Sequence, residues 1–187
     1  MTGQRQSLIW WRPVFGLLIL LGLLSSVEAQ SPVPEQQLKA AFVLNFIRYI
    51  EWPEKVFSAK DSPIVLCRLG RDDGDIPLAS LDGRKAQERI IKVRFDVGAD
   101  NARGCHAVFF GEADSRRASA MLRSLTGMPV LTISDVEGFI DQGGAIGIVR
   151  GDERMQFEIN RSVLDRSQLK ASSQLLKLAR AVLSPGG

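Results

Sequence analysis

The residues Leu38 to Pro53, LKAAFVLNFIRYIEWP, constrain the fold more than any other stretch of the 187-residue chain. At about 100° per residue, Leu38, Phe42, Val43, Phe46, Ile47, Tyr49 and Ile50 spread over a wide arc, while Asn45, Arg48 and Glu51 share a narrow polar one. Such a helix needs cover on more than one side. It is expected to run from about Glu35 to Glu51 and to stop at Pro53, which lacks an amide donor and disfavours the helical conformation at Trp52. Glu51 then falls in the last turn, beside the negative end of the helix dipole, where a carboxylate requires a cation; Arg48 and Lys55 are the local candidates.

Downstream, apolar runs alternate with short helical patterns. Pro63 to Gly70 (PIVLCRLG) predicts a buried strand followed by the acidic turn RDDGD, and Ile76 to Leu81 a short helix closed by Asp82-Gly83. Ile90 to Phe95 alternates apolar and basic residues, so one face of that strand is expected to be wet. Cys105 to Phe110 is a second fully apolar strand, Ser115 to Leu125 an amphipathic helix with Ala118, Met121, Leu122 and Leu125 inward, and Val130 to Ser134 the next strand. Ala145 to Val149 and Met155 to Ile159 are too close for a crossover helix and must form a hairpin. Two helices finish the chain, from Asn160 to Arg166 and from Ser172 to Leu183, capped by Asn160 and Ser172. On the last one Leu175, Leu176, Ala179, Val182 and Leu183 form the expected buried face. The fold class implied is α/β, a mostly parallel sheet with helices on both faces and a C-terminal antiparallel hairpin strand.

The length suits one domain, expected over residues 30–187. Before it, Arg5 and Arg12 precede the apolar run Val14 to Leu24, and Val27-Glu28-Ala29 offers small residues at −3 and −1, the pattern of a signal peptide cleaved after Ala29. A membrane anchor is the rival reading, but the run falls short of the roughly 20 apolar residues that a bilayer span needs. Of the formal charge of +3, the leader carries Arg5 and Arg12 against Glu28, which leaves the mature chain near +2. The basic residues are scattered among acids, so the electrostatic footprint of a nucleic-acid binder is absent. Two cysteines remain, Cys67 and Cys105. In an oxidising compartment one disulfide is the economical reading and two buried thiols the alternative; closing a loop of that length is worth roughly 3 to 4 kcal/mol on the chain-entropy model.

Catalytic signals are sparse. The single histidine, His106, lies in an apolar strand and reads as a core or strand-end residue rather than a general base. Asp72, Asp73 and Asp75 follow the first strand, where open α/β sheets place ligands, but they lack the ligand ladder of a calcium loop and read as a solvated turn. Gly143, Gly144 and Gly147 precede a strand and offer no helix amino terminus to a phosphate. Ser134-Asp135 has no nucleophile elbow around it, and Asp135 is expected to cap the turn that follows. Glu158 is expected to find Arg48 or Arg154, and Trp52 is either buried packing or a partly exposed anchor for a partner.

The helix ending in EWP, the LCRLG strand, GCHAVFF, LTISD followed by GGAIGIV, then RMQFEIN and SSQLLKLARAV, in that order, resemble the YfiR family of periplasmic regulatory proteins across essentially the whole mature chain. The resemblance implies a non-enzymatic α/β regulator without a cofactor or metal. Its best understood member holds the periplasmic part of an inner-membrane diguanylate cyclase, YfiN, inactive, and an outer-membrane lipoprotein, YfiB, relieves that inhibition. It also implies a bridge between Cys67 and Cys105; the second cysteine pair of that member has no counterpart here. The matching motif residues Arg48, Glu51, Trp52, Pro53, Phe157, Glu158 and Asn160 are the candidates for contact with a partner. A homodimer remains open, and the rival function is a small-ligand sensor using the strand ends near Gly70 to Asp75.

Overall fold

The computed structural model describes residues 34–69, 76–111, 115–152 and 154–184. The leader and the acidic turn Asp72 to Asp75 lie outside the described residues. Helix α1 (Glu35–Tyr49) leads directly into β1 (Ile50–Glu51). Then come β2 (Ile64–Leu69), a 3-10 turn (Leu78–Leu81), β3 (Lys85–Ala86), β4 (Arg89–Val97), a second 3-10 segment (Ala99–Gly104), β5 (Ala107–Phe110) and α2 (Ser115–Ser124). They are followed by β6 (Leu131–Ser134), β7 (Ile146–Arg150), β8 (Met155–Asn160), α3 (Arg161–Arg166), β9 (Lys170–Ala171), α4 (Ser173–Leu178) and β10 (Ala181–Leu183).

Eight strands form one sheet in the order β10-β8-β7-β6-β5-β2-β4-β3. The central pairs β4/β2, β2/β5, β5/β6 and β6/β7 are parallel, and β7/β8 is the antiparallel hairpin that the short connection demands. The chain leaves β2 toward β4 and returns to β5 on its other side, so the strand order reverses at β2/β5. Alternation along the strands makes two cores. Ile64 and Leu66 of β2 join Phe109, Ile133, Ile148, Phe157 and Ile159 beneath α1, α3 and α4. Val65, Cys67 and Leu69 join Val108, Phe110 and the inward residues of α2, which are Ala118, Met121 and Leu122, with Leu125 just beyond its end. Helices therefore cover both faces, as the apolar runs predict. On β4, Ile90, Lys92, Arg94 and Asp96 alternate outward as exposed residues, the expected wet face.

The cysteine strands β2 and β5 are neighbours, and Cys67 and Cys105 are bridged with their Cα atoms 6.0 Å apart. This is ordinary disulfide spacing, and it ties the strands that flank the order reversal.

Two predicted elements end differently. Helix α1 stops at Tyr49, so Glu51 lies in a strand and not in a last helical turn. The carbonyls that a helix end leaves open are taken up by distant groups. The Gln87 amide donates to Ile47 O at 3.3 Å and to Ile50 O at 2.6 Å, and Ser172 N donates to Tyr49 O at 2.9 Å. With those partners in place Ile50–Glu51 extends and pairs antiparallel with Lys170–Ala171. The last predicted helix also breaks. It spans only Ser173–Leu178, after which β10 adds in parallel to the open edge of β8. Leu175 is buried as expected, but Val182 and Leu183 are exposed on the sheet edge and do not form a buried helical face. Within α1, Leu38 and Tyr49 likewise face solvent, so its apolar arc is narrower than the spacing suggests.

Candidate functional site

The corner where α1 meets β1 and β9 collects four of the seven motif residues. Arg48 is exposed and its Nε donates to Lys85 O at 3.3 Å, across to the β3 strand. Glu51 is exposed and stands opposite Lys170 in the β1/β9 register. Trp52 is buried, and its indole N–H donates to His106 O at 3.1 Å. Pro53 follows it, half-buried. Glu51, Trp52 and Pro53 form one wall of a cleft of about 460 Å³; Asp165, Gln168, Leu169 and Lys170 form the other. Tyr49, two residues before Glu51, is exposed on the last turn of α1. The second wall runs from the last turn of α3 to the start of β9 and carries no motif of its own, so spacing along the chain could not identify it. Its one local sign is a left-handed backbone at Gln168, with φ of 58°, which turns the chain into β9.

The other three motif residues are placed by the core. Phe157 is buried, with its ring 5.1 Å from Phe46 and 5.7 Å from Phe42. Glu158 is half-buried and pairs with Arg180 at 3.5 Å, in place of the expected Arg48 or Arg154. Asn160 caps α3: its Oδ1 accepts from Val163 N at 3.1 Å while its Nδ2 donates to Ile140 O at 3.0 Å. Phe157 is thus held in the core, while Asn160 stays half-buried with both ends of its side chain engaged by backbone.

Behind Trp52 lies a stacked unit. The Phe57 ring lies nearly parallel to His106 at 4.7 Å, and the Arg89 guanidinium covers the other side of Phe57 at 3.7 Å. His106 Nδ1 accepts from Val65 N at 3.0 Å. Burial pushes the imidazole below its usual value; a hydrogen bond to the Val56 carbonyl opposes this, and the Arg89 charge adds to it. A neutral imidazole with both nitrogens engaged by backbone orders the strand end and is not poised for proton transfer.

At the opposite, carboxyl end of the strands, Asp135 does not cap the following turn. Ser134 Oγ takes that role by accepting from Val136 N at 3.0 Å. Asp135 pairs instead with Lys39 of α1 at 2.7 Å; Lys39 also meets Glu35 at 3.4 Å, and Glu35 pairs with Arg150. Burial works to lower the Lys39 ammonium, but Asp135 and Glu35 outweigh it and hold the group above its usual range. Nearby, Arg68 is buried with its guanidinium 5.6 Å from the Phe109 centroid, and a Cβ on Gly111 would run into it. Among the described residues no three acidic, histidine or cysteine side chains converge to hold a metal ion. No described helix is long and apolar enough to cross a membrane.

A family model described as YfiR/HmsC-like matches residues 36–180. Among solved structures, a conserved domain protein from Vibrio cholerae O1 biovar eltor superposes with a TM-score of 0.52 at 5% identity, covering 81% of this chain and 61% of that one. An ABC domain in complex with L-Trp from Streptococcus pneumonia superposes with a TM-score of 0.49 at 9% identity, covering 75% of this chain and 61% of that one. The chain thus spans about three fifths of the length of the structures it matches. At such identity the first likeness shows a shared fold alone.

Proposed function

Because the chain belongs to the YfiR/HmsC-like family, one of periplasmic regulators in cyclic-di-GMP signalling rather than of enzymes, we propose that it represses an inner-membrane diguanylate cyclase by docking on that cyclase's periplasmic part. In this reading residues 1–29 direct export and are removed after Ala29. The mature protein performs no chemistry, and a YfiB-like outer-membrane lipoprotein competes for it to lift repression of its YfiN-like partner.

The observation that carries the reading is the corner at Arg48 to Pro53. Its exposed Tyr49, the opposite charges Glu51 and Lys170 at facing positions of the β1/β9 ladder, and the cleft over the edge of Trp52 combine an aromatic group, opposite charges and a concave apolar strip on a backbone fixed by two short strands. Such combinations suit a protein partner, with aromatic anchors supplying affinity and rim charges selecting the mate.

The test is binding of the purified protein to the periplasmic part of a candidate cyclase by calorimetry or surface capture. Association at micromolar concentration or tighter is expected. Tyr49→Ala and Lys170→Glu are expected to weaken it about tenfold or more, as hot-spot and charge-reversal changes do, without moving the urea midpoint. Phe157→Ala is expected to cost about 3 to 5 kcal/mol of stability through the cavity it leaves. No association at micromolar concentration, or an affinity indifferent to Tyr49 and Lys170, defeats the proposal.

A further inference from the structure

On the side of α3 away from the docking corner, a second cleft of about 380 Å³ lies between the C-terminal turn of α2, the turn at Gln142-Gly143 and the end of α3. Its polar lining is rich in donors and short of acceptors. Arg123 and Arg166 enter it from the last turns of the two helices, and among the described residues no carboxylate lines it. Neither arginine has an ion-pair partner among the described residues, unlike Arg150, Arg161 and Arg180, which all pair with acids. Their position at helix C-termini suits a cation, which accounts for the charge but not for the groups between them.

Those groups are Ser167 and Thr132. Ser167 is only 4% exposed, and its hydroxyl, which has no hydrogen-bond partner among the described residues, keeps its access to the cleft that it lines. Thr132, equally buried, accepts from Ala145 N at 2.9 Å through its Oγ1, which leaves its own proton to give. Leu122, Leu125 and Val163 supply an apolar floor. Two guanidinia, two hydroxyl protons and an apolar strip, in a volume within the usual range for small ligands, are complementary to an anion with a short apolar body.

We infer that this cleft binds a small amphipathic anion, a carboxylate or phosphate head held by Arg123, Arg166 and Ser167 with its apolar part over Leu122 and Leu125. This site is independent of the docking reading, since it needs no protein partner.

Titration of the purified protein with phenyl phosphate, benzoate and inorganic phosphate, followed by calorimetry and by amide chemical shifts, tests it. The first two probes separate a phosphate head from a carboxylate head, and the third measures the head without an apolar body. Saturable binding of phenyl phosphate or benzoate, tighter than that of inorganic phosphate, is expected, with shifts at Ser167 and Thr132. Replacing both arginines (Arg123→Gln with Arg166→Gln), which are exposed and whose loss leaves the fold intact, is expected to weaken binding about tenfold or more, the size of one lost charge-assisted hydrogen bond. Arg117→Gln, outside the cleft, is expected to change nothing. No saturable binding at millimolar probe, or an equal loss in the Arg117 variant, overturns the assignment, and neither result bears on cyclase docking.

Discussion

His106 shows how one side chain is fixed by what surrounds it. Its Nδ1 already accepts from Val65 N, so a second ring proton would set two donors face to face, with the Arg89 charge one ring away across Phe57. The folded protein therefore holds the imidazole neutral, below its ordinary value of 6.5, chiefly through burial. The sign of the linkage follows. Above about pH 6.5 neither state binds the proton, and the full stabilising share of His106 is present. As the pH falls from about 6.5 toward the lower folded value, the unfolded chain takes up a proton that the native chain refuses, and that share is lost, the loss being complete once the native imidazole is protonated as well. Urea midpoints measured from about pH 8 to about pH 5 should fall, and His106→Asn, which keeps an acceptor for Val65 N but cannot titrate, should flatten the decline. An unaltered slope in that variant would place the titration elsewhere. Sequence alone marks His106 as a strand-end residue because its neighbours are apolar; the partners that set its protonation, Val56, Phe57, Val65 and Arg89, lie 17 to 50 positions away and leave no local trace.

Elements were legible where their pattern is local. Asn160 and Ser172 act as helix caps because a side-chain oxygen reaching the amide three residues on is a short-range event: Asn160 Oδ1 accepts from Val163 N and Ser172 Oγ from Leu175 N, each at 3.1 Å. The end of α1 and the tail after α4 were not legible, since both are decided by groups far along the chain. Val182 and Leu183 continue the helical spacing of Leu175 and Leu176, yet they gain more by completing the open edge of β8 than by another turn of a short helix. Asn160 itself carries a double load, as its Nδ2 also anchors the Ile140 carbonyl ahead of β7. Asn160→Ala is accordingly expected to cost about 1 to 2 kcal/mol, the upper part of the capping range, and Asn160→Ser to recover part of that by restoring only the cap. Paired urea curves measure both. Equal losses in the two variants would mean that the cap contributes nothing.

At the scale of the whole molecule, the alternation of apolar runs with short helical patterns is enough to predict a two-faced, mostly parallel sheet, because the fully apolar strands have to bury both sides. The strand order was beyond it, as was the corner joining Glu51 to Lys170, since a two-residue ladder has no periodicity to detect. The bridge between Cys67 and Cys105 joins the two readings: it was expected from the compartment and the cysteine count, and in the fold it clamps the strands on which the order reverses. Its 38-residue span holds β3 and β4, the edge of the sheet that contacts α1 through Gln87 and Lys85. Release of the bridge frees that span in the unfolded chain, for a loss of roughly 3 to 4 kcal/mol on the chain-entropy model. Both cysteines are buried, so a thiol reductant must wait for an opening, and reduction under native conditions should be slow and accelerate in urea. Cys67→Ala with Cys105→Ala should lower the urea midpoint by a similar free energy and abolish the effect of reductant altogether. A double variant as stable as the parent, or a reductant effect that persists without the cysteines, would show that packing around β2 and β5 holds the sheet without the bridge.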